Sequence, residues 1–167
     1  MQRLPRHPGQ GRAGRRAVLS PPHTYNEDVR SGVYTAFDGA SELLGTLPAS
    51  SWALVTSNYG HRVRGRFART GLPLPRVIVD AAAVEEGKPS PVPYLLAARQ
   101  LGAKPEDCLV IEDAPSGVEA GLRAGMTVWG VNAAVAVDGV HRHFGSLCEA
   151  VPDILAFARP EGSAGVG

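Results

Sequence analysis

Short apolar runs alternate along the chain with amphipathic stretches, and this order predicts strands and helices in turn. Trp52-Ala53-Leu54-Val55, Arg76-Val77-Ile78-Val79, Cys108-Leu109-Val110-Ile111 and Thr127-Val128-Trp129-Gly130-Val131 are short and mostly continuous in apolar character, the pattern of strands covered on both faces. Between them lie helical stripes. Ala40, Leu43, Leu44 and Leu47 predict a helix from about Gly39 to Leu47, and Val63 with Phe67 predict one that turns Arg62, Arg66 and Arg69 toward water. Tyr94, Leu95, Ala98 and Leu101 mark a third helix. Val118, Ala120, Leu122 and Ala124 mark a fourth, with Gly125 as its stop. A last helix includes Ala150 to Ala158, while 132–145 reads as loop. Near the start, Arg16-Ala17-Val18-Leu19-Ser20 is a candidate short strand halted by Pro21-Pro22, and His23 to Gly32 reads as polar and irregular. The alternation predicts an α/β fold: a doubly wound, mostly parallel Rossmann-like sheet with flanking helices.

Length and composition narrow this to one domain, since 167 residues with 44% hydrophobic content suffice for a single sizeable core. Residues 1–32 read as a basic tail and irregular remnant, 33–158 as the α/β core and 159–167 as a second tail. The first 16 residues carry five arginines and no acid, which reads as a solvated tail. Gly9 to Gly14 fits G-x-G-x-x-G, but without a strand before it or a helix after it nothing aims backbone N–H groups at a pyrophosphate. A formal net charge of +1 supplies no global attraction for nucleic acid or an anionic membrane. No apolar run approaches the roughly 18 residues of a membrane span, and no apolar signal core opens the chain, so a cytoplasmic location is expected. Cys108 and Cys148 do not have the spacing of a metal or redox pair.

The candidate chemistry collects where strands end. The strand from Cys108 stops in Glu112-Asp113, and a carboxylate pair at a strand's carboxyl end suits a divalent cation; turn formation or helix capping is the other reading. Trp52 to Val55 runs into Thr56-Ser57-Asn58, whose hydroxyls and following helix start form an anion cradle or, more simply, an N-cap. Lys88 is one of only two lysines and stands between Gly87 and Pro89. Held about 4 Å from a phosphate, it would contribute about 4 kcal/mol per unit charge at an effective dielectric of about 20; the alternative is a surface lysine beside two glutamates. Pro89 follows it where a Walker A loop needs Ser or Thr. His61, His141 and His143 are too isolated to define a site.

The stretch GKPSPVPYLLAARQLGAKPEDCLVIEDAPSGVEAGLRAGMTVWGV, with WALVTSN upstream, resembles the second half of a haloacid dehalogenase-superfamily phosphatase of the kind that hydrolyses sugar phosphates or glycerol phosphate. The resemblance covers about Val33 to Ala158. It implies that Thr56 hydrogen-bonds the transferring phosphoryl group with Ser57 and Asn58 lining the same loop, and that Lys88 neutralises phosphate and nucleophile. It further implies that Asp113 is the Mg2+ carboxylate, with Glu112 beside it either as a ligand or in support, and that a small phosphorylated metabolite is bound.

The family opens with a strand ending in D-x-D-G-T, whose first aspartate attacks phosphorus, and no D-x-D occurs in this sequence. The helical cap expected between that strand and Val33 is also missing. In the family's sheet the first strand is central, between those ending in Thr56 and Asp113. Each unpaired backbone group in that dry slot would cost about 1–3 kcal/mol, against a total stability of about 5–15 kcal/mol. The expectation is therefore that Ala17 to Ser20 fills the slot, or that a partner polypeptide supplies the strand. Three functional readings follow. One is a truncated and inactive phosphatase, one a non-catalytic phosphate- and Mg2+-binding regulator, and one half of a split enzyme.

Overall fold

The computed structural model describes residues 14–20, 25–28, 33–132 and 135–159. Strands β1 (Arg16–Leu19), β4 (Trp52–Val55), β5 (Val77–Val79), β6 (Cys108–Glu112), β7 (Thr127–Val131) and β8 (Arg142–Phe144) form one sheet in the order β5-β4-β1-β6-β7-β8. Every pairing in it is parallel. Strands β2 (Tyr25–Asp28) and β3 (Val33–Ala36) form a separate antiparallel pair.

The central slot is filled from within the chain. Ala17 pairs with Trp52 on one side and Leu109 on the other, and Leu19 pairs with Leu54 and Ile111. Ala17, Val18 and Leu19 have no exposed surface, so three apolar residues and two hydrogen-bonded neighbours stabilise a strand too short to persist alone. The described sheet therefore includes Arg16–Leu19, the short strand expected within residues 1–32.

Successive strand residues point to opposite faces, and each face meets its own helices. Ala17, Leu19, Leu54, Leu109, Ile111, Trp129 and Val131 pack with helices α1 (Ala40–Thr46), α2 (Gly60–Thr70) and α5 (Leu147–Ala158). Val18, Ala53, Val55, Val110 and Val128 pack with α3 (Val92–Gln100) and α4 (Pro115–Arg123). Helices on both faces of a parallel sheet put all the strands' carboxyl ends on one rim, which is where this architecture holds ligands.

Two segments differ from expectation. Tyr25–Asp28, in the stretch read as irregular, is a strand, its polar sequence being compatible with pairing outside the core. Arg142–Phe144, read as loop, is the edge strand β8; its largely exposed Arg-His-Phe pattern carries no apolar run, and only pairing with β7 reveals it. Helix α5 includes Ala150 to Ala158 as expected and starts at Leu147, where the Ser146 hydroxyl accepts from the Glu149 N–H. Of the Gly9 to Gly14 motif, residues 9–13 lie outside the described residues.

Candidate functional site

Three adjacent strands carry the site. Thr56 follows β4, Ser20 follows β1, and Glu112 closes β6 ahead of Asp113. Lys88 reaches the same rim from the loop between β5 and α3, its peptide to Pro89 being cis. Its Nζ donates to Glu112 Oε2 at 2.9 Å, to Ser20 Oγ at 3.4 Å and to the Val55 carbonyl at 3.4 Å. One short bond and two long ones use all three ammonium protons, and the long pair lies beyond the usual N–H···O range, so these two give way most readily to a better acceptor.

Glu112 is 1% exposed and sits beneath the rim. Its Oε2 also accepts from the Tyr94 hydroxyl at 2.7 Å, and its Oε1 accepts from the Asp113 N–H at 3.1 Å and the Ala114 N–H at 3.4 Å. Four donors fill the roughly four lone-pair positions of an ionised carboxylate. This arrangement ties Glu112 to Lys88, to Tyr94 and to the start of the loop after β6. The Lys88–Glu112 pair is buried, a setting in which charges persist only with such complete hydrogen bonding. Burial pushes the Tyr94 hydroxyl well above its ordinary range, and the charge and hydrogen bond of Glu112 and the charge of Asp113 push it further.

Thr56 is nearly buried, and its N–H bonds the Val79 carbonyl at 2.9 Å, locking the end of β4 to β5. Its Oγ1 accepts from the Asn58 N–H at 3.0 Å, so at least one function of the hydroxyl is to shape its own loop. Ser57 and Asn58 are exposed. Thr56, Ser57, Gly87, Lys88 and Glu85 line one cavity of about 130 Å³. Asn58 and Asp113 are not among its lining residues. Thr56 and Lys88 thus share an opening, and Asp113 follows β6, which is separated from β4 by β1.

Sequence reasoning passed over three residues that shape this rim. Asp80, after β5, accepts from the N–H groups of Gly60, Ala82 and Ala83 at 2.8, 3.1 and 3.1 Å, fastening the start of α2 to the end of β5. Tyr94 was visible only as a member of an apolar stripe, and Ser20 only as the end of a short strand. The histidines are elsewhere: His61 is exposed and stacked on Tyr59, and His141 Nδ1 accepts from the Val128 N–H at 3.0 Å.

A divalent cation would find a sparse donor set. Among the described residues, no group of three His, Cys, Asp or Glu side chains is placed to hold a metal. Asp113, which follows β6, is the carboxylate that the resemblance assigns to Mg2+, an ion that commonly takes one or two carboxylates and completes its shell with water and phosphate oxygen.

The sheet is a parallel, doubly covered α/β sheet with a hydroxyl, a lysine and an acidic pair at its carboxyl-end rim. The family model for haloacid dehalogenase-like hydrolases matches residues 3–125, and the chain belongs to that family. It is 48% identical over 101 residues to hexitol phosphatase A of Escherichia coli (strain K12), covering 59% of this chain and 47% of that protein. It is 34% identical over 95 residues to glycerol-1-phosphate phosphohydrolase 2 of Saccharomyces cerevisiae, covering 53% of this chain and 38% of that one. A crystal structure of a HAD family hydrolase from Deinococcus radiodurans with bound phosphate and sodium superposes with a TM-score of 0.65 at 33% identity, over 76% of this chain and 63% of the other. The chain spans about half or less of the length of these curated relatives.

Proposed function

We propose that the chain binds the phosphoryl group of a small phosphate monoester, a sugar or polyol phosphate, between Thr56 and Lys88, and that by itself it does not hydrolyse the ester. The observation that carries this is the buried ammonium of Lys88, held at the rim by Glu112 and sharing a cavity with the Thr56 loop. An arriving phosphate replaces Ser20 Oγ and the Val55 carbonyl as acceptor, exchanging two long contacts to neutral oxygens for contacts to an anion. Because Glu112 already balances Lys88 and Glu85 borders the cavity, affinity is modest without a cation. Mg2+ at Asp113 would offset the phosphate's charge. Its support is the chemistry of that carboxylate and the family's reaction, and Glu112 serves it from behind.

Hydrolysis is a separate matter. The covalent route needs a carboxylate nucleophile, and no D-x-D occurs in the sequence. The described end of the central strand presents Ser20, whose described neighbour is the cationic Lys88, a group that cannot take its proton. The names of the hexitol and glycerol-phosphate relatives support the substrate class, and the phosphate bound in the Deinococcus hydrolase supports the ligand. A second polypeptide would need to bring only the missing aspartates, since β1 already completes the sheet. The two free thiols fit a reducing cytoplasm, and among the described residues no helix is long and apolar enough to cross a membrane.

The test is a titration with inorganic phosphate, with and without Mg2+, beside an aryl phosphate assay on the wild type, Lys88→Ala and Asp113→Asn. Expected are phosphate binding that Lys88→Ala weakens and hydrolysis no faster than background. Absence of phosphate binding overturns the ligand, and turnover abolished by both substitutions overturns the inactivity.

A further inference from the structure

Helix α3 buries Pro93, Tyr94, Ala97 and Ala98, and among these four the Tyr94 hydroxyl is the one polar side-chain group. It donates at 2.7 Å to Glu112 Oε2, the same oxygen that Lys88 Nζ reaches at 2.9 Å. The lysine ammonium also lies 5.1 Å from the Tyr94 ring centroid, within reach of its π face. One tyrosine therefore touches both members of the buried ion pair, the anion through its oxygen and the cation through its ring.

We infer that Tyr94 is a positioning residue for Lys88: by holding Glu112 Oε2 it fixes where the ammonium stands at the mouth of the cavity. A lysine side chain has four flexible carbons and follows its counter-ion, so the lysine is only as well placed as the carboxylate it binds. Glu112 Oε1 is held by two backbone N–H groups, which leaves Oε2 as the end whose direction must be set by side chains. Lys88 cannot both set that direction and be set by it. The phenol, fully buried on a packed helix, is the fixed one of these two donors to Oε2. A phenylalanine would fill the same core volume, so the hydroxyl's contribution lies in the site and not in packing.

This inference rests on the reading of the cavity as an anion site, and the experiment separates the two. The chain has only two lysines, Lys88 buried in the ion pair and Lys104 exposed, so a chain labelled with lysine carrying ¹⁵N at the side-chain nitrogen gives two distinguishable ammonium signals. In the wild type the buried Lys88 ammonium is expected to exchange slowly. Tyr94→Phe is expected to shift its signal and to speed its proton exchange about tenfold, with phosphate affinity falling about three- to tenfold, the scale of one ordinary hydrogen bond, because the phenol acts on phosphate only through Lys88. Phe67→Leu, in the core on the sheet's other face, lowers stability and leaves the Lys88 signal in place. An unchanged Lys88 signal in Tyr94→Phe, or an equal change in Phe67→Leu, overturns the inference. If Tyr94→Phe does not fold, fluorinated tyrosine at position 94 keeps the shape and makes a stronger donor; an unmoved Lys88 signal then overturns it equally. Failure of the wild type to bind phosphate refutes the anion site alone, because the Lys88 signal is read without phosphate.

Discussion

A Cβ placed on Gly117 would overlap the carboxylate of Glu112, so the first turn of α4 lies directly against the acid that ends β6. Only a residue without a side chain lets the helix start there while the carboxylate keeps its four donors. Gly117→Ala is accordingly expected to cost about 1–3 kcal/mol of stability as an overpacked core does, and to weaken phosphate binding by displacing Glu112 and with it Lys88. Denaturant midpoints and a phosphate titration on the same sample check both parts.

Removing Lys88 takes the ammonium away from the buried charge of Glu112. Lys88→Met is expected to destabilise the fold by about 3–5 kcal/mol. Adding Glu112→Gln removes the orphaned charge and recovers most of that loss, without restoring phosphate binding. Unfolding curves of the two single variants and the double variant measure the coupling, and a double variant as unstable as Lys88→Met contradicts the assignment.

The central placement of β1 makes an otherwise unremarkable apolar residue decisive. Leu19 is fully buried between Leu54 and Ile111, and Leu19→Ala is expected to cost about 2–5 kcal/mol. Thermal unfolding decides between this and a peripheral tail, for which the change would be close to zero.

The two thiols should behave as opposites. Cys148 is exposed, whereas Cys108 is buried at the start of β6, where burial first and the charge of Asp107 second, partly opposed by Arg16, push its thiol from an ordinary 9.0 to about 11. Alkylation at mildly alkaline pH is expected to modify Cys148 quickly and Cys108 only on unfolding. Between about pH 9 and 11 the unfolded chain gives up the thiol proton while the folded chain retains it, so the folded state loses stability as pH rises, by roughly 2–3 kcal/mol across that window. Tyr94, also raised, adds loss of the same sign at higher pH. Stability measured against pH in Cys108→Ala should show a shallower decline.

Much of this architecture is written locally. Strands such as Cys108 to Ile111 are short apolar runs wherever they occur, and the helical stripes of α2 and α4 follow from spacing alone, because burying one face is a property of period and not of partners. Ser146 and Glu149 also carried a legible capping signal, three residues apart, that would have set the start of α5. The placement of Thr56, Lys88 and Glu112-Asp113 at the carboxyl ends of strands was legible for the same reason. The hydrogen-bond commitments of those side chains were not, since Lys88 and Glu112 are 24 residues apart and Tyr94 and Glu112 are 18 apart. Pairing across such distances is decided when the layers close. So it was tertiary structure that turned Glu112 inward as the support of Lys88, made Tyr94 more than a core aromatic, used Asp80 to fasten the start of α2, and gave strand identity to Arg142–Phe144. Arg16–Leu19 stands between the two cases. Its residues offer a strand, but only a slot open on both sides, costly to leave unpaired, makes it the centre of the sheet.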